Sequence, residues 1–157
     1  MKRKKDVERN KKKEKKTKSY EFLPHTADVK FRAYGGTLEE AFENAAYALT
    51  DVVTNHKKVK PLVEKSISVK SENKEALLYD FLEQFLILLD SEGFLLHELK
   101  ALKIKEENGK LRLSAKVVGD NNPSRYKIET SIKAVTYEEM FIRQEKGKWI
   151  LQVILDI

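Results

Sequence analysis

The last nine residues, WILQVILDI, place the tightest limit on what this chain can fold into. Alternate side chains of an extended strand share a face. Trp149, Leu151, Val153, Leu155 and Ile157 therefore lie on one side, and Ile150, Gln152, Ile154 and Asp156 on the other. Both sides are largely apolar, as expected of an interior strand covered on both faces. The end of this strand poses a problem, because Asp156 stands beside the free carboxylate of Ile157. An unpaired carboxylate near low dielectric is costly or shifts its pKa. Something positive has to meet it.

With 157 residues the chain is long enough for one domain with a real core and too short to expect two. Its charge is unevenly spread. Residues 1–19, MKRKKDVERNKKKEKKTKS, carry eleven of the 31 Lys/Arg and three of the 25 Asp/Glu. Residues 20–157 keep twenty basic and twenty-two acidic side chains, so the body is slightly acidic and the basic character belongs to the tail. With only Met1 and Val7 as apolar side chains, the tail cannot offset its ordering entropy and is expected to be disordered. It reads either as a solubilising leader or as a weak, salt-sensitive anchor for RNA or another polyanion. Nuclear import is a third role if the organism has a nucleus. No apolar run follows the basic residues to make a signal peptide, and no stretch reaches the length of a membrane span. The expectation is a cytoplasmic protein, or a nuclear one in a eukaryote, with no membrane contact. The absence of cysteine removes disulfides, thiolate zinc sites and thiol nucleophiles together.

The body begins at Tyr20. DVKFRAYG alternates, with Val29, Phe31 and Ala33 on one face, and reads as a strand ended by Gly35-Gly36. Thr37 is an N-cap residue and Glu40 completes a capping box. The helix that follows carries Leu38, Ala41, Phe42, Ala45, Leu49 and Val52 as one stripe. KSISVK is a short strand with Ile67 and Val69 inward. A second helix spans roughly residues 74–90, apolar over a wide arc, with Gly93 as its exit. The rest is strand-like: a hairpin around Asn108-Gly109, a polar loop DNNPSR, the stretch YKIETSIKAVTYEEMFIRQ, a turn at Lys146-Gly147 and the final strand. This order predicts an α+β fold, a two-layer sandwich with two helices packed on a mainly antiparallel sheet. It is compatible with a duplicated strand–helix–strand–strand module.

A second acidic oddity lies at the start of the body, in FLPHTADVKF, where Asp28 opens the first strand. If the first and last strands bring their ends together, Asp28, Asp156 and the Ile157 carboxylate converge. Three carboxylates require a cation, and oxygen-only ligation selects a hard ion such as Ca²⁺, Mg²⁺ or Mn²⁺. The competing account is that Asp28 caps a local turn and Asp156 pairs with a lysine such as Lys133. Spacing alone leaves both open.

The segments HTADVKFRAYGGTLEEAFENAA, LLYDFLEQFLILLDSEGF and IKAVTYEEM, with the terminal Asp-Ile, resemble the archease family from about Tyr20 to Ile157. That resemblance implies a divalent cation, usually calcium, held by Asp28, Asp156 and Ile157. It implies an activator of an RtcB-type RNA ligase in tRNA splicing and RNA repair, promoting guanylation of the ligase and repeated turnover. Such a protein is a helper rather than an enzyme and has no small-molecule substrate of its own. Lys133, within IKAVTY, matches the family pattern and becomes a contact to the ligase, nucleotide or phosphate, or else a solvated lysine. Some relatives carry a histidine where this chain has Glu138, and no chemistry is assigned there.

His25 is expected to hold the Asp28 turn by hydrogen bonding rather than to ligate a hard ion. His56 and His97 read as ordinary surface or boundary residues, and Asp51 as a solvated acid. AYGGT lacks the pattern of a phosphate-binding loop, and scattered serines support no Ser-His-Asp assembly. Two other function classes stand beside the activator. One is a metal-dependent hydrolase of RNA or phosphate esters, for which no separate base or substrate cradle is evident. The other is a structural or RNA-binding adaptor whose cation only ties the sheet together.

Overall fold

The computed structural model describes residues 19–157. The expectation of disorder concerns residues 1–19, and all of these but Ser19 lie outside the described residues. The elements are β1 (Tyr20–Leu23), β2 (Asp28–Gly35), α1 (Leu38–Val53), β3 (Val63–Ser71), α2 (Lys74–Glu92), β4 (Leu95–Glu107), β5 (Lys110–Asp120), β6 (Ala134–Glu145) and β7 (Lys148–Asp156). Two helices pack against antiparallel sheets, an α+β architecture. The strands divide into a four-stranded sheet ordered β1-β2-β7-β6 and a three-stranded sheet ordered β3-β5-β4.

The helices start where local chemistry supplies acceptors. Thr37 Oγ1 accepts from the Glu40 N–H, and Glu40 Oε2 reaches back to the Gly36 N–H. The reciprocal bond thus lands one residue before the expected one. Asn73 caps α2 by accepting from the Ala76 N–H at 2.8 Å. Gly93, at φ 69°, gives α2 its left-handed exit. The end of α1 has no glycine. Instead the Glu129 N–H donates to the Val53 carbonyl at 2.7 Å, and Thr54 Oγ1 donates to the Lys127 carbonyl. This explains one departure from the sequence reading: residues 126–133 are not strand, because the Lys127 carbonyl and the Glu129 and Lys133 N–H groups close off other elements.

One continuous core joins both sheets and both helices. Phe31 and Ala33 of β2, Leu151, Val153 and Leu155 of β7, Phe42 of α1, Phe81 of α2, and Leu113 and Val117 of β5 are all fully buried. Phe42 and Phe81 meet between the helices with ring centroids 5.9 Å apart. Residues 151–155 are buried without interruption, as the two-faced apolar pattern of β7 requires. The arc of α2 is not wholly covered, for Ile87 is exposed. Among the described residues no helix is long and apolar enough to cross a membrane.

Gly119 of β5 sits where the backbone of β4 comes closest. A Cβ there would overlap the Leu95 carbonyl oxygen and crowd the Phe94 ring. Gly119→Ala should therefore force β4 and β5 apart and cost about 1–3 kcal/mol. The check is a lower urea midpoint at unchanged slope; a midpoint equal to the parent's would contradict the packing.

Candidate metal centre

β2 and β7 pair in unbroken antiparallel register from Asp28↔Asp156 to Gly35↔Trp149. Phe31, Ala33, Leu151 and Val153 are buried on the inner face of this pair, so a one-residue slip would expose them and the register is strongly specified. The two aspartates are consequently direct cross-strand neighbours on the same face. Like charges so placed are destabilising by about 0.2–1 kcal/mol. Asp156 is also flanked on its other side, by Ala134 of β6. The half-buried Ile157 side chain packs against the core, which anchors the backbone just beyond Asp156.

The lysine account of Asp156 is not what the fold builds. The Lys133 N–H, not its ammonium, meets Asp156, donating to the main-chain carbonyl at 2.7 Å. Among the described residues no ion pair joins Lys133 to Asp156, and Lys133 is exposed. The Asp156 side chain is itself exposed, because the ladder ends at this residue and water reaches it. The dielectric cost inferred from the apolar strand is thereby reduced.

His25 lies within reach of Asp28, with Nδ1 3.3 Å from Asp28 Oδ2. Its Nε2 lies 3.3 Å from Glu139 Oε2, and Lys30 Nζ is 3.3 Å from Glu139 Oε1. Lys30, and then His25, hold the Glu139 carboxyl below the usual carboxylate range. Backbone geometry picks out the same residues. Four non-glycine residues have positive φ among the described residues: Ala27, Asn108, Glu139 and Lys146. Asn108 and Lys146 belong to tight hairpin turns before a glycine. Ala27 (φ 65°) and Glu139 (φ 51°) belong to no such turn; Ala27 lies between His25 and Asp28 in the chain, and Glu139 meets His25 and Lys30. Unfavourable backbone of this kind collects at functional sites.

Glu139 is not marked by the sequence alone. It lies in a bulge where the β6–β7 register breaks between Thr136 and Phe141. Gln152, a buried polar residue of β7, fastens that bulge by donating to the Glu139 carbonyl at 2.8 Å while accepting from Arg32 Nε at 3.0 Å. The only signal was the doubled acid in TYEEM, which breaks the alternation.

Chemically, this end of the sheet offers oxygen donors. Among the described residues no set of three or more His, Asp or Glu side chains converges as a complete metal site. Asp28 and Asp156 supply two carboxylates, and the main chain continues past Asp156 to Ile157. A hard cation takes six or more oxygens, so such a site would leave positions for water or a partner's oxygens.

His97 is a boundary residue, as its sequence context indicated, but Asp51 is not a solvated acid and His56 is buried. Asp51 Oδ1 accepts from the His56 N–H at 3.0 Å and lies 2.7 Å from His56 Nδ1, and Asp51 Oδ2 accepts from the Tyr20 hydroxyl. His56 is buried and stacks on Tyr47 at 4.6 Å, while His97 Nδ1 lies 3.2 Å from the His56 carbonyl. The cluster ties β1 and the short 3₁₀ turn at His56–Lys58 to the end of α1. Asp51 and His56 are five residues apart, but Tyr20 and His97 reach them from distant strands, so spacing could not show the whole cluster.

The model of the family described as "Archease protein family (MTH1598/TM1083)" matches residues 20–157. A "Protein archease" from Pyrococcus furiosus is 42% identical over 142 residues, covering 89% of this chain and 99% of that protein. One from Methanosarcina barkeri is 40% identical over 141 residues, covering 89% and 97%. The solution structure of protein 1598 from Methanobacterium thermoautotrophicum superimposes with a TM-score of 0.79 at 37% identity, covering 90% of this chain and all of that one. A Thermotoga maritima structure described as "an archease, possible chaperone" shares the fold, with a TM-score of 0.55 at 23% identity over 86% of this chain and 94% of the other.

Proposed function

The chain belongs to the archease family, and from that premise we propose that it activates an RtcB-type RNA ligase in tRNA splicing and RNA repair. It does so through a hard divalent cation, calcium first, with magnesium or manganese as substitutes. Asp28, Asp156 and the carboxylate of Ile157 hold the ion. The observation that supports this reading is the register that sets Asp28 directly against Asp156. Bound there, the cation neutralises the carboxylates and presents open coordination to oxygen donors such as phosphates. His25 holds the Asp28 carboxylate from one side, and Glu139 with Lys30 braces His25 in turn. Lys133, exposed beside Asp156, offers its ammonium to the ligase or to a phosphate. The protein promotes guanylate transfer onto the ligase without turning over a substrate itself.

The test follows covalent guanylation of the cognate ligase with GTP and metal, with and without this protein. Stimulation is expected from the intact chain and from a chain tagged at its N-terminus. One residue appended after Ile157 moves the carboxylate away and should weaken both metal binding by titration calorimetry and stimulation. An absence of stimulation by the intact chain would remove the reading, and RNA cleavage by the protein alone would replace it with the hydrolase.

A further inference from the structure

The three-stranded sheet is covered on one face only. Ile67, Leu113, Ala115 and Val117 are buried on the inner face. On the outer face the register aligns three rows: Lys70, Arg112 and Lys105; then Ser68, Ser114 and Lys103; then Ser66, Lys116 and Ala101. All nine are exposed. Five are cations and none is an acid. With strands about 4.8 Å apart and alternate residues about 6.7 Å apart, the five charges share a patch of roughly 10 by 14 Å.

Three cations side by side across neighbouring strands repel one another, so the fold alone gives no reason for them. Only Arg112 has an acid partner within the described residues, Glu107 at 2.7 Å; Lys70, Lys103, Lys105 and Lys116 have none. Ion pairs stand at both ends of the patch, Lys110 with Glu72 and Lys100 with Glu64. The neutralised ends frame an unneutralised middle, on a body that is otherwise slightly acidic. The small serine and alanine side chains there leave a hollow rather than a ridge. A depression of 510 Å³ lies against Lys103, Lys105, Arg112 and Ser114, with Glu106 and Glu107 also lining it. A second, of 300 Å³, shares Lys103 and Ser114 and runs on to Ser66, Ser68 and Lys116.

We propose that this outer sheet face binds the phosphate backbone of double-helical RNA. Charge complementarity selects a polyanion, and the rest of the face selects which one. The grid presents no aromatic or large apolar side chain, so it offers neither an anchor for a peptide nor a platform for stacking unpaired bases. Lysine ammoniums and serine hydroxyls suit phosphate oxygens and ribose 2′-hydroxyls, the groups a duplex RNA displays. Recognition is by shape and charge, without sequence preference. This surface is built by β3, β4 and β5 and does not depend on the cation at Asp28 and Asp156.

The experiment uses the full chain, ¹⁵N-labelled, in EDTA so that the cation site plays no part. An RNA hairpin of about sixteen base pairs is titrated in while backbone amides are followed by NMR. The expected result is shifts concentrated at residues 66–70, 101–105 and 112–116. In parallel, the exposed triple variant K103S/K105S/K116S should lose about tenfold or more in affinity at moderate salt. Its plot of log affinity against log salt should flatten by about three. Shifts confined to residues 1–18 or to the β2–β7 end would overturn the proposal. So would an unchanged affinity and slope in the folded triple variant. A poly-glutamate peptide of equal charge that moves the same amides with equal affinity would overturn the assignment to RNA.

Discussion

Replacing both Asp28 and Asp156 by asparagine should reduce stimulation of ligase guanylation to the level of the ligase alone, while the fold in EDTA stays at least as stable as the parent. The two halves of this result come from one geometric fact. The residues are direct cross-strand neighbours, so in the absence of a cation their charges oppose pairing of β2 with β7. Removing both charges should stabilise the metal-free protein by about 0.2–1 kcal/mol. If the proposed site holds the ion, the parent should gain stability by mass action, about 2.7 kcal/mol at a hundredfold excess over the dissociation constant. The double variant should gain none. Thermal melts with EDTA and with calcium, set beside the guanylation assay, read all three quantities. A variant that unfolds in EDTA would show that the carboxylates serve the fold. A variant that stimulates like the parent would end the metal-centred account.

Asp51→Ala should be strongly destabilising, costing about 3 kcal/mol. The side chain is only 22% exposed and accepts from the Tyr20 hydroxyl and the His56 N–H, with His56 Nδ1 also in contact. Truncation leaves a buried histidine and a half-buried tyrosine without their acceptor, and it frees β1 from α1. The same contacts give a pH signature. Burial pushes the Asp51 carboxyl up, but the hydrogen bonds from His56 and Tyr20 outweigh it and hold the carboxyl below its ordinary value. A lowered folded pKa means that the unfolded chain binds the proton more readily. The stabilisation is therefore present above about pH 4 and disappears as pH falls through the folded value. Asp51→Asn should lose less stability than the parent between pH 4 and pH 2. Denaturant midpoints across that range decide it; parallel acid limbs would show that Asp51 is not the titrating group.

Much of this molecule was legible without coordinates. The helical stripes at Leu38–Val52 and Leu77–Leu89, capped by Thr37 and closed by Gly93, depend on periods and caps that act within one turn. The two-faced strand at the end of the chain declared itself interior because both of its faces are apolar. The register that sets Asp28 against Asp156 was one of two accounts the charge pattern left open, and only the pairing of β2 with β7 places them side by side.

The rest was decided by distant pairing. Glu139 enters the His25 network only because β6 bulges against β7, and a bulge leaves little trace in alternation. Asp51 is a half-buried acceptor because Tyr20 and His56 close on it from other elements. The nine-residue grid on the outer sheet exists only after β3, β5 and β4 align in register; along the chain its lysines look like the ordinary solvated faces of separate strands. Periodicity and capping are local energies, summed over neighbours within a few residues, and so they are written in the order of the amino acids. Which charge faces which across a sheet is settled by burying both sides of one core, and that balance is struck only by the whole folded chain.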